Sequence, residues 1–327
     1  VRQPAWLAEQ FPHLAQFRAY QVKLPVTTIK QWLTQPLFVY HASAIEPSAQ
    51  LAYVQYAALL DSLYTEGEND ANEVTDLGAS LNDDSVTFKL WAPTAMQVSV
   101  KLFNQDKTLA QPNALEMTFD QQSGIWSAST SASFNQGYYQ YQLQVFHPAS
   151  QKVEQITTTD PYSLSLSTNS RHSQVIDLSA AYSQPEGWAN HAIPTINHPE
   201  DALFYEMHIR DFSANEQKLS AEQNRGKYAA FSEQHSNGIN HLKKLNAAGL
   251  NHLHLLPTFD IGTVNEQLGQ TITLTSTVEQ ICHLAPQTSI CQQGVDRQLT
   301  LVQVLSGFDV RSPDAQALVT DLKTFDS

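Results

Sequence analysis

The chain has 327 residues, enough for two or three domains that each bury a core. Only 15% of its residues are charged, against roughly 25% in an average soluble protein, so Gln, Asn, Ser and Thr supply most of the polar surface. The net charge is -14 from 32 acidic and 18 basic residues, and the scattered Lys and Arg form no basic stripe, which argues against nucleic acid as a partner. The longest apolar runs, such as LAYVQYAALL at 51–60, are about half of the roughly 20 residues a membrane span needs, so no span is expected. The first residues, VRQPAWLAEQ, have neither a basic n-region nor an apolar h-region, so any secretion signal is expected upstream or already removed.

In chain order, residues 1–80 predict a small, mostly helical region. Thr28 is a candidate cap for IKQWLTQ, and Pro47 is read as opening a helix to Tyr64. In that helix Tyr53, Tyr56, Leu60, Leu63 and Tyr64 share one apolar face. TEGENDANEVTD, at 65–76, has almost no apolar content and predicts a linker.

Between 81 and 180 the apolar period becomes two, in VTFKLW, MQVSVKLF, ALEMTF, GIWSA and GYYQYQLQVFH, which predicts an antiparallel β-sandwich. In the last of these, Tyr139, Tyr141, Leu143 and Val145 share one face while Gln140, Gln142 and Gln144 share the wet one. A linker at 181–201 follows. From 202 the pattern is strand LFYEMHI, helix SNGINHLKKLNAAG and strand LNHLHLLP, a βαβ unit with parallel strands. Residues 267–327 are polar and weakly periodic, with one short helix expected in DAQALVTDLK. The chain as a whole is multidomain.

Parallel-barrel enzymes place chemistry after their strands, which draws attention to Arg210, Asp211, Asp260 and Glu266. Glycoside hydrolysis needs two carboxylates, so Asp260 and Glu266 are formal candidates, although loop orientation is the commoner role for such residues. In the first strand Glu206, His208 and Arg210 alternate with Tyr205, Met207 and Ile209, so the polar row needs partners from other strands. His241, His252 and His254 have no carboxylate at ligand spacing and read as structural histidines, which leaves no metal site to name. There is no P-loop, G-x-G-x-x-G, G-x-S-x-G or H-E-x-x-H.

A flat ring suits the C–H face of a sugar, which makes Trp91 and Trp126 the candidate carbohydrate-binding residues, with core packing as the competing role. Cys282 and Cys291 are near in sequence; a bridge between them, or two free thiols, both fit.

FKLWAPTAMQVSVKLF at 88–103 resembles the opening of a family 48 carbohydrate-binding module. The run from Gly137 to Leu178 resembles the end of that module and its linker. YEMHIRDFS, RGKYAAFSE and HLHLLPTFDIGTVNE resemble the first two strands of the (β/α)8 TIM barrel in secreted bacterial pullulanases, debranching enzymes of glycoside hydrolase family 13. The resemblance implies a sandwich of immunoglobulin-like type followed by an incomplete barrel start carrying an insertion at 267–327.

It further implies a hydrolase of α-1,6-glucosidic linkages in pullulan, starch or glycogen fragments, acting with retention as a monomer. Its Asp, Glu and Asp catalytic residues come from the fourth, fifth and seventh barrel strands, so none maps onto this chain, Asp260 and Glu266 are set aside, and this stretch alone is expected to be inactive. No redox cofactor is implied; calcium is compatible with the family. The resemblance also favours the Cys282–Cys291 bridge and a secreted or cell-surface location. Two rivals remain: a non-catalytic α-glucan-binding fragment, and an intracellular isoamylase or glycogen-debranching type of enzyme.

Overall fold

The computed structural model describes residues 5–14, 16, 20–41, 50–256, 258–259, 265–267, 272–307 and 312–322, and divides into two units, 1–183 and 184–327. In the first unit, helices α1 (Ala5–Gln10) and α2 (Val26–Trp32) precede a hairpin of strands β1 (Phe38–His41) and β2 (Gln50–Tyr53), and then helix α3 (Ala57–Tyr64). Thr28 is therefore not a cap. It lies inside α2, which Pro25 precedes with φ at -56°, a value its ring presets.

The helix expected to open at Pro47 starts instead at Ala57. Pro47 itself lies outside the described residues, and Gln50–Tyr53 is extended. The reason is tertiary: the rings of Phe38 and Tyr53 pack on Phe146, with centroids 6.1 and 5.5 Å away, and that contact outweighs the local helical spacing. Nor is 65–76 a simple linker. Asp70 is 5% exposed and accepts hydrogen bonds from the backbone N–H groups of Gly67 and Asn72.

The sandwich consists of β3 (Gly78–Leu81), β4 (Ser85–Trp91), β5 (Gln97–Phe103), β6 (Leu115–Glu116), β7 (Thr118–Phe119), β8 (Ile125–Ser131), β9 (Tyr138–His147), β10 (Lys152–Thr158) and β11 (Ser173–Gln174). One sheet has the order β3-β4-β8-β7. The other has β10-β9-β5-β6, with β11 also on β9, and every pair is antiparallel. Val86, Phe88, Val98, Val100, Tyr139 and Tyr141 meet in the core, each burial worth roughly 1.5–3 kcal/mol for a side chain of Val or Phe size. ALEMTF is two short strands, one in each sheet, because Met117 is buried between them and its N–H bonds to the Val98 carbonyl.

The sandwich core holds the buried carboxylate of Asp160. Tyr139 and Tyr141 donate their hydroxyls to Asp160 Oδ2 at 2.7 and 3.3 Å, and the Tyr162 N–H donates to Oδ1 at 2.8 Å. Burial, against these hydrogen bonds, raises the Asp160 pKa above its ordinary value.

The helical region closes on the sandwich through Tyr64, which is fully buried. The Lys30 ammonium lies 4.1 Å from the Tyr64 ring centroid and donates to the carbonyls of Gln121 and Gln122, each at 2.9 Å. Gly124, at φ +73°, has to be glycine here: a Cβ would fall 2.8 Å from Pro93 Cβ and 3.0 Å from Tyr64 Cδ1.

In the second unit, strand β12 (Phe204–His208) pairs in parallel with β13 (His252–Leu256), and helices α4 (Ile209–Ser213) and α5 (Asn237–Ala247) lie between them in sequence. The polar row of β12 stops at His208. There the chain turns into α4, with His208 Nδ1 accepting from the Arg210 N–H, so Arg210 leaves the row.

Two glutamates hold the segment before α5. Glu216 accepts from the backbone N–H groups of Gln217, Lys218, Asn237 and Gly238, so it caps the positive end of α5 beside the Ser236 cap. Glu233 accepts from the Ser220 hydroxyl and N–H and from Asn224. The Lys218 N–H foremost for Glu216, and the Ser220 hydroxyl foremost for Glu233, hold both carboxyls below the usual range.

Residues 272–322 correct the expectation of one short helix in weakly structured chain. Helices α6 (Val278–Leu284), α7 (Ser289–Gln292), α8 (Leu301–Ser306) and α9 (Pro313–Leu322) enclose a core of Ile272, Val278, Ile281, Ile290, Leu301 and Leu318. Thr277 with Gln280 and Thr300 with Gln303 form capping boxes. Cys282 and Cys291 are joined in a disulfide nine residues apart.

Two outcomes follow. Replacing both cysteines by Ala should cost residues 272–322 about 2–3 kcal/mol of protection in native-state hydrogen exchange, and unchanged exchange would mean the apolar core alone holds the helices. Asp160→Ala removes the carboxylate acceptor of two buried hydroxyls, so sandwich unfolding in urea should shift by about 2–4 kcal/mol. Because the folded Asp160 pKa is raised, its ionised form weighs against the fold; its contribution to stability is greatest below pH 3.8 and falls as pH rises through the folded value.

Candidate carbohydrate-binding surface

Along β9, side chains alternate between the core and the outer face of the sheet. Tyr139 and Tyr141 turn inward, while Gln142 and Gln144 turn outward. Across the ladder, Gln144 lies opposite Gln97 on β5 and Gln155 on β10, and Gln142 opposite Ser99 and Thr157. All of these except Thr157, with Ala114, Glu116, Val153 and Glu154, line a groove of about 330 Å³.

Its polar walls are partly fixed. Gln97 Nε2 donates to Glu116 Oε2 at 3.0 Å, and Gln142 Nε2 to Thr157 Oγ1 at 3.4 Å. Each Gln offers two N–H donors and a carbonyl acceptor, so the surface presents unionised groups of both kinds. That inventory matches the hydroxyls of a neutral sugar. It does not suit a phosphate, since no described residue lining the groove carries a positive charge.

The tryptophans are placed elsewhere. Trp126 is 8% exposed inside the core, 4.9 Å from Phe119, with its indole N–H donated to the Ala92 carbonyl at 3.0 Å. This is the core-packing role, with little of its ring exposed. Trp91 is half-buried and donates to the Ser123 carbonyl at 3.1 Å. Both stand on β4 and β8, in the sheet that does not carry the groove. The two indoles brace the 92–93 and 121–124 turns instead.

Alternation in GYYQYQLQVFH was sufficient to place the Gln row outward. It could not bring Gln97 and Gln155 beside it, because that takes the register of three strands.

On the parallel pair, His254 Nδ1 meets Glu206 Oε2 at 3.1 Å, and Tyr205 packs on His241 of α5 at 5.8 Å, so the polar row and the helix occupy opposite faces. Asp260 lies outside the described residues, whereas Glu266 lies within them. Among the described residues, no three His, Cys, Asp or Glu side chains gather to hold a metal ion. Nor, among the described residues, is any helix long and apolar enough to cross a membrane.

Residues 3–62 match the pullulanase N2 domain, and residues 76–163 match carbohydrate-binding module 48 (isoamylase N-terminal domain). The pullulanase of Klebsiella pneumoniae is 38% identical over 97% of this chain and 29% of its own length. Pullulanase 1, chloroplastic, of Arabidopsis thaliana is 35% identical over 81% of this chain and 26% of its own length. The crystal structure of PulA from Klebsiella oxytoca covers 100% of this chain and 31% of that one, with a TM-score of 0.81 at 34% identity. That of Klebsiella pneumoniae pullulanase complexed with maltotriose also covers 100% and 31%, with a TM-score of 0.79 at 33% identity. The chain thus spans between 26% and 31% of the length of these relatives. It is a homologue of the N-terminal region of pullulanases, with a pullulanase N2 domain and a family 48 carbohydrate-binding module.

Proposed function

We propose that this chain is the glucan-recognising front of a pullulanase-type debranching hydrolase that cleaves α-1,6-glucosidic linkages with retention. The observation that carries the reading is the glutamine-lined groove on the outer face of a sandwich that matches carbohydrate-binding module 48. Bound glucan would lay its hydroxyl edge against Gln97, Gln142, Gln144 and Gln155. The maltotriose complex of a 33% identical pullulanase supports the ligand class.

The parallel pair β12 and β13, with α5 on one face and the Glu206–His254 pair on the other, is read as the first two strands of a TIM barrel. A barrel of this kind takes its catalytic carboxylates from later strands, so hydrolysis is not assigned to any residue of 1–327. The ligand partners are pullulan, starch or glycogen fragments, and the protein acts as a monomer. The disulfide suits an oxidising compartment, which favours secretion or display at the cell surface.

In pullulan and amylopectin affinity gels the chain should be retarded, and Gln144→Ala and Gln155→Ala should each migrate closer to a non-binding reference; no retardation of the unaltered chain would sink the glucan reading. Incubated with pullulan, purified 1–327 should release no reducing sugar above a heat-treated control. Measurable release would place catalysis inside this stretch.

A further inference from the structure

Phe146 is an anomaly of strand β9. It follows Gln142 and Gln144 on the outer face, yet it is 7% exposed. Two rings cover it, Phe38 of β1 and Tyr53 of β2, which face each other across the N-terminal hairpin with centroids 5.8 Å apart. The hairpin therefore sits on the same face of the sheet as the glutamine groove. One tier along a strand is about 7 Å, so this aromatic cluster borders Gln144. Val153, directly opposite Phe146 on β10, lines the groove itself.

The cluster is not sealed as a core would be. Phe38 stays 38% exposed and Val153 43% exposed, while Tyr53 is half-buried. An apolar, ring-bearing wall thus stands open beside a row of amides. That pairing has a specific chemistry: a glucose unit shows hydroxyls at its rim and C–H groups on its faces, so amides and rings satisfy different parts of one residue.

We infer that the paired strands β1 and β2 are part of the binding site: Phe38 and Tyr53 form its aromatic wall and take the C–H face of a glucose unit of an α-glucan chain whose hydroxyls meet Gln144 and Gln155. The inference rests on the groove being a glucan site, and it assigns to the region matching the N2 domain a direct share in recognition. The hairpin couples that region to the sandwich through the same rings, so ligand and the joint between the two regions act on one set of side chains.

Isothermal titration of the full chain with maltohexaose tests it, using Phe38→Leu and Tyr53→Leu, which keep apolar packing on Phe146 but lose the flat face. Val39→Ala, on the opposite face of β1, serves as the control. Thermal unfolding monitored on each variant confirms that the hairpin remains docked. Each Leu variant should bind about threefold to tenfold more weakly, Gln155→Ala should also weaken binding, and Val39→Ala should bind as the unaltered chain does. If Gln155→Ala weakens binding while both Leu variants match the unaltered chain, the groove reading stands and the aromatic wall is overturned. If the Leu variants weaken binding and Gln155→Ala does not, the composite site is overturned. Absence of binding by the unaltered chain overturns both.

Discussion

Strand β9 has to satisfy two environments at once, and most of the first unit is arranged around that. It is hydrogen-bonded to β5 on one side and to β10 and β11 on the other, so it cannot shift by one residue without turning every side chain over. Its inner face brings two tyrosine hydroxyls into an apolar core. Those hydroxyls need an acceptor, and Asp160 supplies it from the segment just after β10. The same aspartate gives its backbone N–H to Ser173 at the start of β11, which ties the end of the sandwich back onto β9. A buried carboxylate costs stability when ionised, and here three donors offset that cost in part.

The outer face of β9 has the complementary requirement. Glutamines remain wet, and the ring that follows them on this face, Phe146, is covered by the N-terminal hairpin. At the opposite joint, Tyr64 lies under the Lys30 ammonium beside Gly124, where no larger residue fits. The region matching the pullulanase N2 domain is therefore held to the carbohydrate-binding module at two places, by Phe38 and Tyr53 on Phe146 and by Lys30 on the Gln121 and Gln122 carbonyls.

In the second unit, polar anchors replace bulk burial. The segment between α4 and α5 is held by two carboxylates that accept mainly backbone and hydroxyl hydrogens, and both have depressed pKa values. Their support is in place above the ordinary carboxylate pKa and lost as pH falls through the lower, folded one. The helices at 272–322 take a different route to stability, with a small apolar core, two capping boxes and one disulfide. Such a short segment has little area to bury, which is the setting in which a covalent link contributes most.

The sequence by itself determined the strands whose alternation is strict, VTFKLW, MQVSVKLF and GYYQYQLQVFH, because one face of each is core wherever the strand goes. It also determined the parallel pair around α5 and, through residue runs resembling pullulanases, the family. The capping boxes TVEQ and TLVQ were equally present in the chain and would have marked α6 and α8, had the polar surroundings not hidden them. Other features depended on partners distant in sequence. Tyr53 and Tyr56 have helical spacing, but the Phe38 and Phe146 rings draw Tyr53 into a strand. Trp126 is aromatic and sits in a strand, which suits a sugar or a core equally, and only its place opposite Leu90 on the inner face makes it core. The groove itself was decided by tertiary structure alone, since periodicity fixes which way a side chain points but not which strand lies beside it.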